Sequence, residues 1–154
     1  MHSRIIELSK TPIEVEDRIC ESDYYDNDFI GSVADYVASC DRTDAIEWFS
    51  NHLKCKGAIT EFNTETIVFS EDVKEKFFRD KFDDFKKLAS ELTFEEFAKD
   101  KSGFKLYLIQ KCITEKFGFY IHCDGYYFTL DDFIRNCVDN NETWYFGGAL
   151  DYHC

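Results

Sequence analysis

The chain has 154 residues, a formal net charge of −13, and 44% hydrophobic and 18% aromatic residues. This length is typical of one domain, and so high an aromatic content excludes an intrinsically disordered chain. The negative charge disfavours direct binding of nucleic acid, which requires clustered Lys and Arg, and of an anionic membrane surface. We therefore expect a single acidic domain, residues 1–154, whose partner is a protein with a basic surface.

The cysteines and the N-terminal residues bear on the compartment. Residues 1–7 lack the apolar core of a signal peptide, and no apolar run is long enough to span a membrane. Without a secretory signal, an odd number of widely spaced cysteines predicts reduced thiols, and hence a cytoplasmic protein. The seven cysteines are Cys20, Cys40, Cys55, Cys112, Cys123, Cys137 and Cys154.

The N-terminal part predicts a strand followed by an acidic segment. The apolar run at 5–8 predicts the strand. Residues 14–28 hold seven acids and one base, a net charge of −6, and Tyr24 and Tyr25 interleave with the acids. We expect a short helix or turn here that runs into an irregular segment.

The middle of the chain predicts a helix, a hairpin and a second helix. Thr43 or Asp41 can cap the first helix, and two β-branched and aromatic runs within 58–69 predict the hairpin. After Ser70, which can cap a helix, apolar residues recur at steps of three and four and predict the clearest helix in the chain. These residues are Val73, Phe77, Phe78, Phe82, Phe85, Leu88 and Leu92.

Two further helices follow. Thr93 and Glu96 form a capping-box pattern that predicts the start of a short helix. Residues 104–116 are rich in Leu, Ile and Tyr and predict a buried helix.

The C-terminal part predicts a second hairpin, a short helix and a last strand. Asp124-Gly125 lies between aromatic runs and predicts a tight turn, because both turn residues need positive φ. Thr129 with Asp132 can cap the helix. The run 143–150 predicts the strand, and its paired glycines predict a bulge or a close backbone approach.

Together these elements predict an α+β fold. Two β-hairpins and the terminal strands would form an antiparallel sheet with about four to five helices packed against it. A helix–hairpin–helix order occurs twice, at 43–90 and 104–138, which a weak internal duplication would explain.

No motif identifies a catalytic reaction or a cofactor. Three His–Cys neighbours occur, at 52–55, 122–123 and 153–154, but no Cys-x-x-Cys is present. Adjacent residues of a strand face opposite sides of the sheet, so His122 and Cys123 cannot share one metal. Adjacent carboxylates are abundant and leave open an unrecognised enzyme with a carboxylate–metal or Cys/His site. We predict no cofactor, no metal site and no catalytic residue.

The charge is uneven along the chain. Residues 14–28 and 122–154 carry −6 and −5, whereas residues 101–121 carry +3. Both acidic regions are rich in Tyr and Trp, which are favoured interface residues because they bury area and keep a polar tip. The predicted partner-binding residues are Asp23, Tyr24, Tyr25, Asp26, Asp28, Asp124, Tyr126, Asp131, Asp132, Trp144 and Tyr145.

The chain resembles, in size and charge only, the small acidic inhibitors that phages and mobile elements direct at restriction or CRISPR nucleases. That resemblance covers no motif. It implies an anti-CRISPR or anti-restriction protein that imitates DNA and blocks a basic groove by stoichiometric contact. A cytoplasmic regulatory or interaction protein fits the same composition, and the sequence leaves the oligomeric state open.

Overall fold

The computed structural model describes residues 1–99 and 103–154. Over these residues the chain forms seven strands and six helices, the first of them a single turn. The strands are β1 (His2–Ser9), β2 (Tyr36–Ser39), β3 (Ile59–Phe62), β4 (Thr66–Phe69), β5 (Tyr120–Cys123), β6 (Tyr126–Thr129) and β7 (Thr143–His153). The helices are α1 (Phe29–Ser32), α2 (Arg42–Cys55), α3 (Val73–Glu91), α4 (Phe94–Ala98), α5 (Gly103–Ile113) and α6 (Leu130–Asn136), with 3-10 turns at Val15–Asp17 and Glu21–Tyr24.

The strands form one sheet in the order β3-β4-β7-β1-β5-β6, and β2 pairs with the C-terminal half of β7. The predicted α+β class and both hairpins are confirmed, but the sheet is larger than predicted, because β2 was missed. It is also mixed, since β1 and β5 pair in parallel. These two strands are far apart in sequence, so no tight turn forces them to be antiparallel.

Several local predictions are confirmed. The Asp41 carboxylate accepts a hydrogen bond from the backbone N–H of Asp44 and caps α2. The predicted caps at Thr93 and Thr129 also form. At the second hairpin, Asp124 and Gly125 have φ values of 51° and 80°, as the tight turn requires.

Two helix predictions are wrong in detail. The helix predicted after Ser70 begins at Val73 with Asp72 at its N-cap, and the Ser70 hydroxyl is buried without a hydrogen-bond partner. The helix predicted at 104–116 is α5, which has no buried residue in its described span and packs chiefly against α3. Its apolar residues are spread around the helix, so only part of them can face one neighbour.

The two faces of the sheet are covered in different ways. Because successive residues of a strand point to opposite faces, Ile6 lies in a core beneath α2, α3 and α6, whereas Ile5 lies in a second core. No regular helix covers that second face in the described residues. The acidic segment 14–28 and the turn that follows it cross this face and contribute Tyr24 and Phe29 to the core.

The glycine pair of β7 forms the predicted bulge. Ile6 pairs with Ala149 and Leu8 with Phe146, so Gly147 and Gly148 together lie opposite Glu7. A Cβ on Gly147 would lie 2.1 Å from the Glu7 carboxylate, and one on Gly148 would lie 2.7 Å from the Ile19 carbonyl oxygen. The missing side chains let the acidic segment approach the sheet closely.

Gly148→Ala is expected to lower the free energy of unfolding by about 1–3 kcal/mol, because the clash is with backbone that cannot rotate away. Gly103→Ala is the control, since a Cβ there meets no atom of the described residues within 4 Å and alanine favours a helix. Chemical denaturation measures both. Equal stability of Gly148→Ala and the wild type would contradict the close approach.

Candidate functional site

A buried carboxylate fastens the acidic segment to the sheet. Glu7 is 8% exposed, and its Oε2 accepts hydrogen bonds from the backbone N–H of Ile19 at 3.0 Å and of Gly148 at 2.6 Å. Arg42 lies nearby and donates to the Gly147 carbonyl oxygen at 2.6 Å. A buried charge needs such partners. The Glu7 hydrogen bonds therefore fix the point at which the acidic segment begins to cross the sheet.

An aromatic cluster anchors the far end of the segment. The fully buried ring of Phe29 lies edge-on to Tyr120, Tyr127 and Tyr152, with centroids 4.9, 5.0 and 5.4 Å away. Edge-to-face pairs of this kind add to the stabilisation from burial alone. Phe29 therefore ties the segment to β5, β6 and β7 together.

Tyr24 and His122 form a hydrogen bond inside this contact. The Tyr24 hydroxyl lies 2.9 Å from His122 Nδ1. Burial lowers the pKa of His122, although the charges of Glu7 and Asp23 oppose that shift, and burial raises the pKa of Tyr24. Both groups are accordingly neutral near pH 7, and the pair is a structural link without a charge.

The fold brings parts of the two acidic regions together. The Tyr127 hydroxyl donates to Asp28 Oδ1 at 2.7 Å, and an open cleft between the segment and the second hairpin is lined by residues 26–28 and 125–127. Asp26, Asp28 and the exposed ring of Tyr126 line this cleft. Asp23 and Tyr25 are exposed in the same segment, and Asp124 is exposed in the turn of the hairpin. We call these six residues the acidic edge.

The other five predicted binding residues lie elsewhere or in the interior. Tyr24 is buried, as is Trp144, which packs on Phe133. Asp131 is 2% exposed, pairs with Lys81 and accepts the backbone N–H of Glu115, while Asp132 pairs with Arg135. Tyr145 is half-buried in β7 and pairs with residues of β1 and β4. A side chain's burial depends on its strand face or packing neighbour, which composition does not encode.

A cavity of about 230 Å³ lies apart from the acidic edge, between α2, α3 and α6. Trp48, His52 and Phe119 line one part, and the Lys81–Asp131 ion pair, with Nζ and Oδ1 2.5 Å apart, lines another. Burial and the neighbouring Lys56 lower the pKa of His52, so its imidazole is neutral near pH 7. The cavity could admit a small molecule, but the hydrogen bonds of Asp131 already join α6 to α3 and to the loop after α5.

Four of the cysteines have thiols that ionise less readily than a free thiol. All seven are free, and burial raises the pKa of Cys123 to about 12 and also raises that of Cys40, Cys112 and Cys137. A nucleophilic cysteine requires the opposite shift. In residues 1–99 and 103–154 we find no group of three or more His, Cys, Asp or Glu side chains placed to hold a metal ion.

Within the same described residues, no helix is long and apolar enough to cross a membrane. Comparison with known proteins found no matching family model, no matching curated protein and no matching solved structure. The site is therefore interpreted from its own geometry.

Three residues that hold the acidic edge in place were not among the binding residues predicted from the sequence. Phe29 and His122 hold the segment from within, and Tyr127 binds Asp28 directly. The only available signal was alternation in the second hairpin, which sets Tyr127 on the face opposite Tyr126.

His122→Gln tests the neutral buried pair. Since the pKa of folded His122 lies below the unfolded value of about 6.5, the unfolded chain binds more protons as the pH falls from about 7 to about 5. The stability contributed by His122 is lost over that range, so the difference in unfolding free energy between wild type and variant should narrow. Denaturant titrations at several pH values measure it. A difference that is constant or grows on acidification would contradict a buried neutral imidazole.

Proposed function

We propose that this protein binds a partner protein with a basic surface, by stoichiometric contact through the acidic edge. The observation that carries the proposal is the Tyr127–Asp28 hydrogen bond, because it joins the two acidic regions at one edge of the sheet. Two regions that are almost a hundred residues apart in sequence contribute to one surface as a result.

The acidic edge has the charge of a binding surface. Among the residues that the structure describes, none of its four aspartates forms an ion pair. Their charge is therefore not compensated locally, and it attracts a positively charged surface and speeds encounter with it.

The aromatic residues support the same proposal. Tyr25 and Tyr126 are 66% and 70% exposed, whereas the neighbouring Tyr24 and Tyr120 are buried in the core. Tyrosine is one of the residue types enriched in interface hot spots. Burying these two rings against a partner would stabilise a complex that charge alone would leave weak.

Imitation of nucleic acid is the sharper form of the proposal. Four carboxylates correspond to about 7 Å of duplex axis at one charge per 1.7 Å. The acidic edge therefore matches a short stretch of backbone, enough to occupy part of a basic groove. An inhibitor of a nucleic-acid-handling enzyme, of the kind that phages and mobile elements encode, would act in this way.

The seven free thiols support a reducing, cytoplasmic compartment.

A small-molecule site or an unrecognised enzyme is the second candidate. It is favoured by the cavity that holds the neutral His52 beside the Lys81–Asp131 pair. A neutral imidazole can act as a general base. Nothing in that cavity involves the acidic edge, so the two candidates can be tested separately.

Asp26→Lys should weaken the complex by about tenfold or more, since like charges would then face each other across the interface. Glu47→Lys is the matched control, because Glu47 is an exposed acid of α2 without an ion pair in the described chain. The partner is first isolated from cells that encode the chain, and affinities are then measured by calorimetry with both proteins purified.

The same titrations in rising salt complete the test. Binding should weaken between about 0.1 and about 1 M salt, as the screening length falls from roughly 10 Å to roughly 3 Å. If Asp26→Lys and Glu47→Lys bind equally well, the acidic edge is not the contact surface.

A further inference from the structure

Exposed apolar side chains are concentrated on the unit formed by α3, α4 and α5. We call residues 73–99 and 103–117 the helical arm. Within the described chain, eight of the fourteen exposed large hydrophobic residues lie on it. They are Phe82, Phe94, Phe97, Phe104, Leu106, Tyr107, Ile113 and Phe117. Within the described arm only Val73 and Phe77, at the start of α3, are buried, and Phe78 packs against the same core. Most of the remaining described arm is therefore not covered by the core.

The two sides of the arm differ. One side carries a groove of about 310 Å³, lined by Phe78, Phe82, Phe85, Cys112 and Ile113 and by the cationic side chains of Lys81 and Arg135. Its three phenylalanines follow a spacing of four and three residues, which places them in one stripe along α3. A second groove between α3 and α5 shares Lys81 and Cys112 with the first. Most of its lining residues are charged, among them Lys87, Glu91 and Lys111, and Leu88 and Leu108 complete it. We call the apolar side the arm groove.

The exposed apolar area approaches what a stable dimer needs. Taking about 200 Å² for a whole aromatic side chain, the exposed residues other than Phe104 and Tyr107 present on the order of 600 Å² of apolar surface. A specific interface of standard size buries about 800 Å² on each partner. Isolated exposed apolar residues need no explanation, but their concentration on one helical unit indicates an interaction site.

The charge distribution favours a second copy of the chain as the occupant. The helical arm carries a net charge of +2, whereas residues 1–72 and 118–154 carry −15. Two copies would repel each other through almost any other surface. Contact through the arms leaves the two acidic bodies at opposite ends, where they are separated by more than a screening length of about 8 Å.

We propose that two copies of this chain associate through their helical arms. The arrangement is isologous, so that Phe82 of each copy lies in the arm groove of the other. Helices α3 and α5 of both copies then form a four-helix bundle with an apolar centre. The charged sides of the arms face solvent, and each copy keeps its acidic edge free, which gives the dimer two equal contact surfaces.

Phe82→Glu tests the dimer. Phe82 is 50% exposed, so the variant should fold as the wild type does, but it places a charge in the centre of the bundle. Dimer dissociation should become easier by about a hundredfold, as expected for loss of a central aromatic contact. Sedimentation equilibrium and light scattering over a dilution series measure the mass of the full chain.

Tyr107→Glu is the matched control. Tyr107 is 54% exposed and stacks on Phe104, on the flank of α5 away from the arm groove. The variant loses a comparable ring and gains the same charge, and its dimer should be as stable as that of the wild type.

Dimerisation should strengthen with salt, because screening weakens the repulsion between acidic bodies. Binding of a basic partner has the opposite salt dependence.

Two results would overturn the proposal. One is a monomeric wild type at high micromolar concentration in both low and high salt, which would assign the arm groove to a different protein. The other is an equal loss of dimer in Phe82→Glu and Tyr107→Glu, which would place the interface outside the groove. Circular dichroism of both variants separates these results from a folding defect.

Discussion

The hydrogen bonds of the Glu7 carboxylate are the contact on which the rest of this structure depends. Glu7 lies on a central strand, opposite the bulge at Gly147 and Gly148, and holds the backbone of Ile19 against the sheet. A buried carboxylate with two backbone donors is favourable only in that geometry. It therefore selects both the bulge and the path of the acidic segment across the second face.

That path determines the distribution of charge over the molecule. A segment with a net charge of −6 replaces the helical layer that would ordinarily cover the face of a sheet. It does so by burying Tyr24 and Phe29 and directing its aspartates outward. The acids accumulate at the edge beside the second hairpin, and the apolar helical arm, which carries little net charge, lies on a different part of the molecule. The two surfaces that we propose for binding thus differ in chemistry and in their response to salt.

The elements that could be predicted from sequence are those encoded by a few adjacent residues. The turn at Asp124-Gly125 and the cap at Thr93 depend on local dihedral angles and short hydrogen bonds, and both are confirmed. The parallel pairing of β1 with β5 depends on residues more than a hundred positions apart. Its register is set by the tertiary packing of both faces, which no local pattern reveals.

In the candidate site, too, some features can be predicted from the local sequence and others depend on tertiary packing. Tyr24 and Tyr25 are adjacent and identical in composition, yet one is buried and the other exposed. The charge counts identified residues 14–28 and 122–154 as the acidic regions of the chain. Only the structure shows that one part of each meets at a common edge, and that Asp131 and Trp144 lie in the interior instead.

The acidic segment lies across the second face of the sheet and ends beside the second hairpin, and this placement creates the acidic edge. Nuclear Overhauser contacts between aromatic protons test it most directly, because the Phe29 and Tyr127 ring centroids are 5.0 Å apart. We expect strong contacts from Phe29 to the rings of Tyr127, Tyr120 and Tyr152. If these contacts are absent in a sample that shows the β1–β7 backbone contacts, the acidic segment does not follow this path across the sheet.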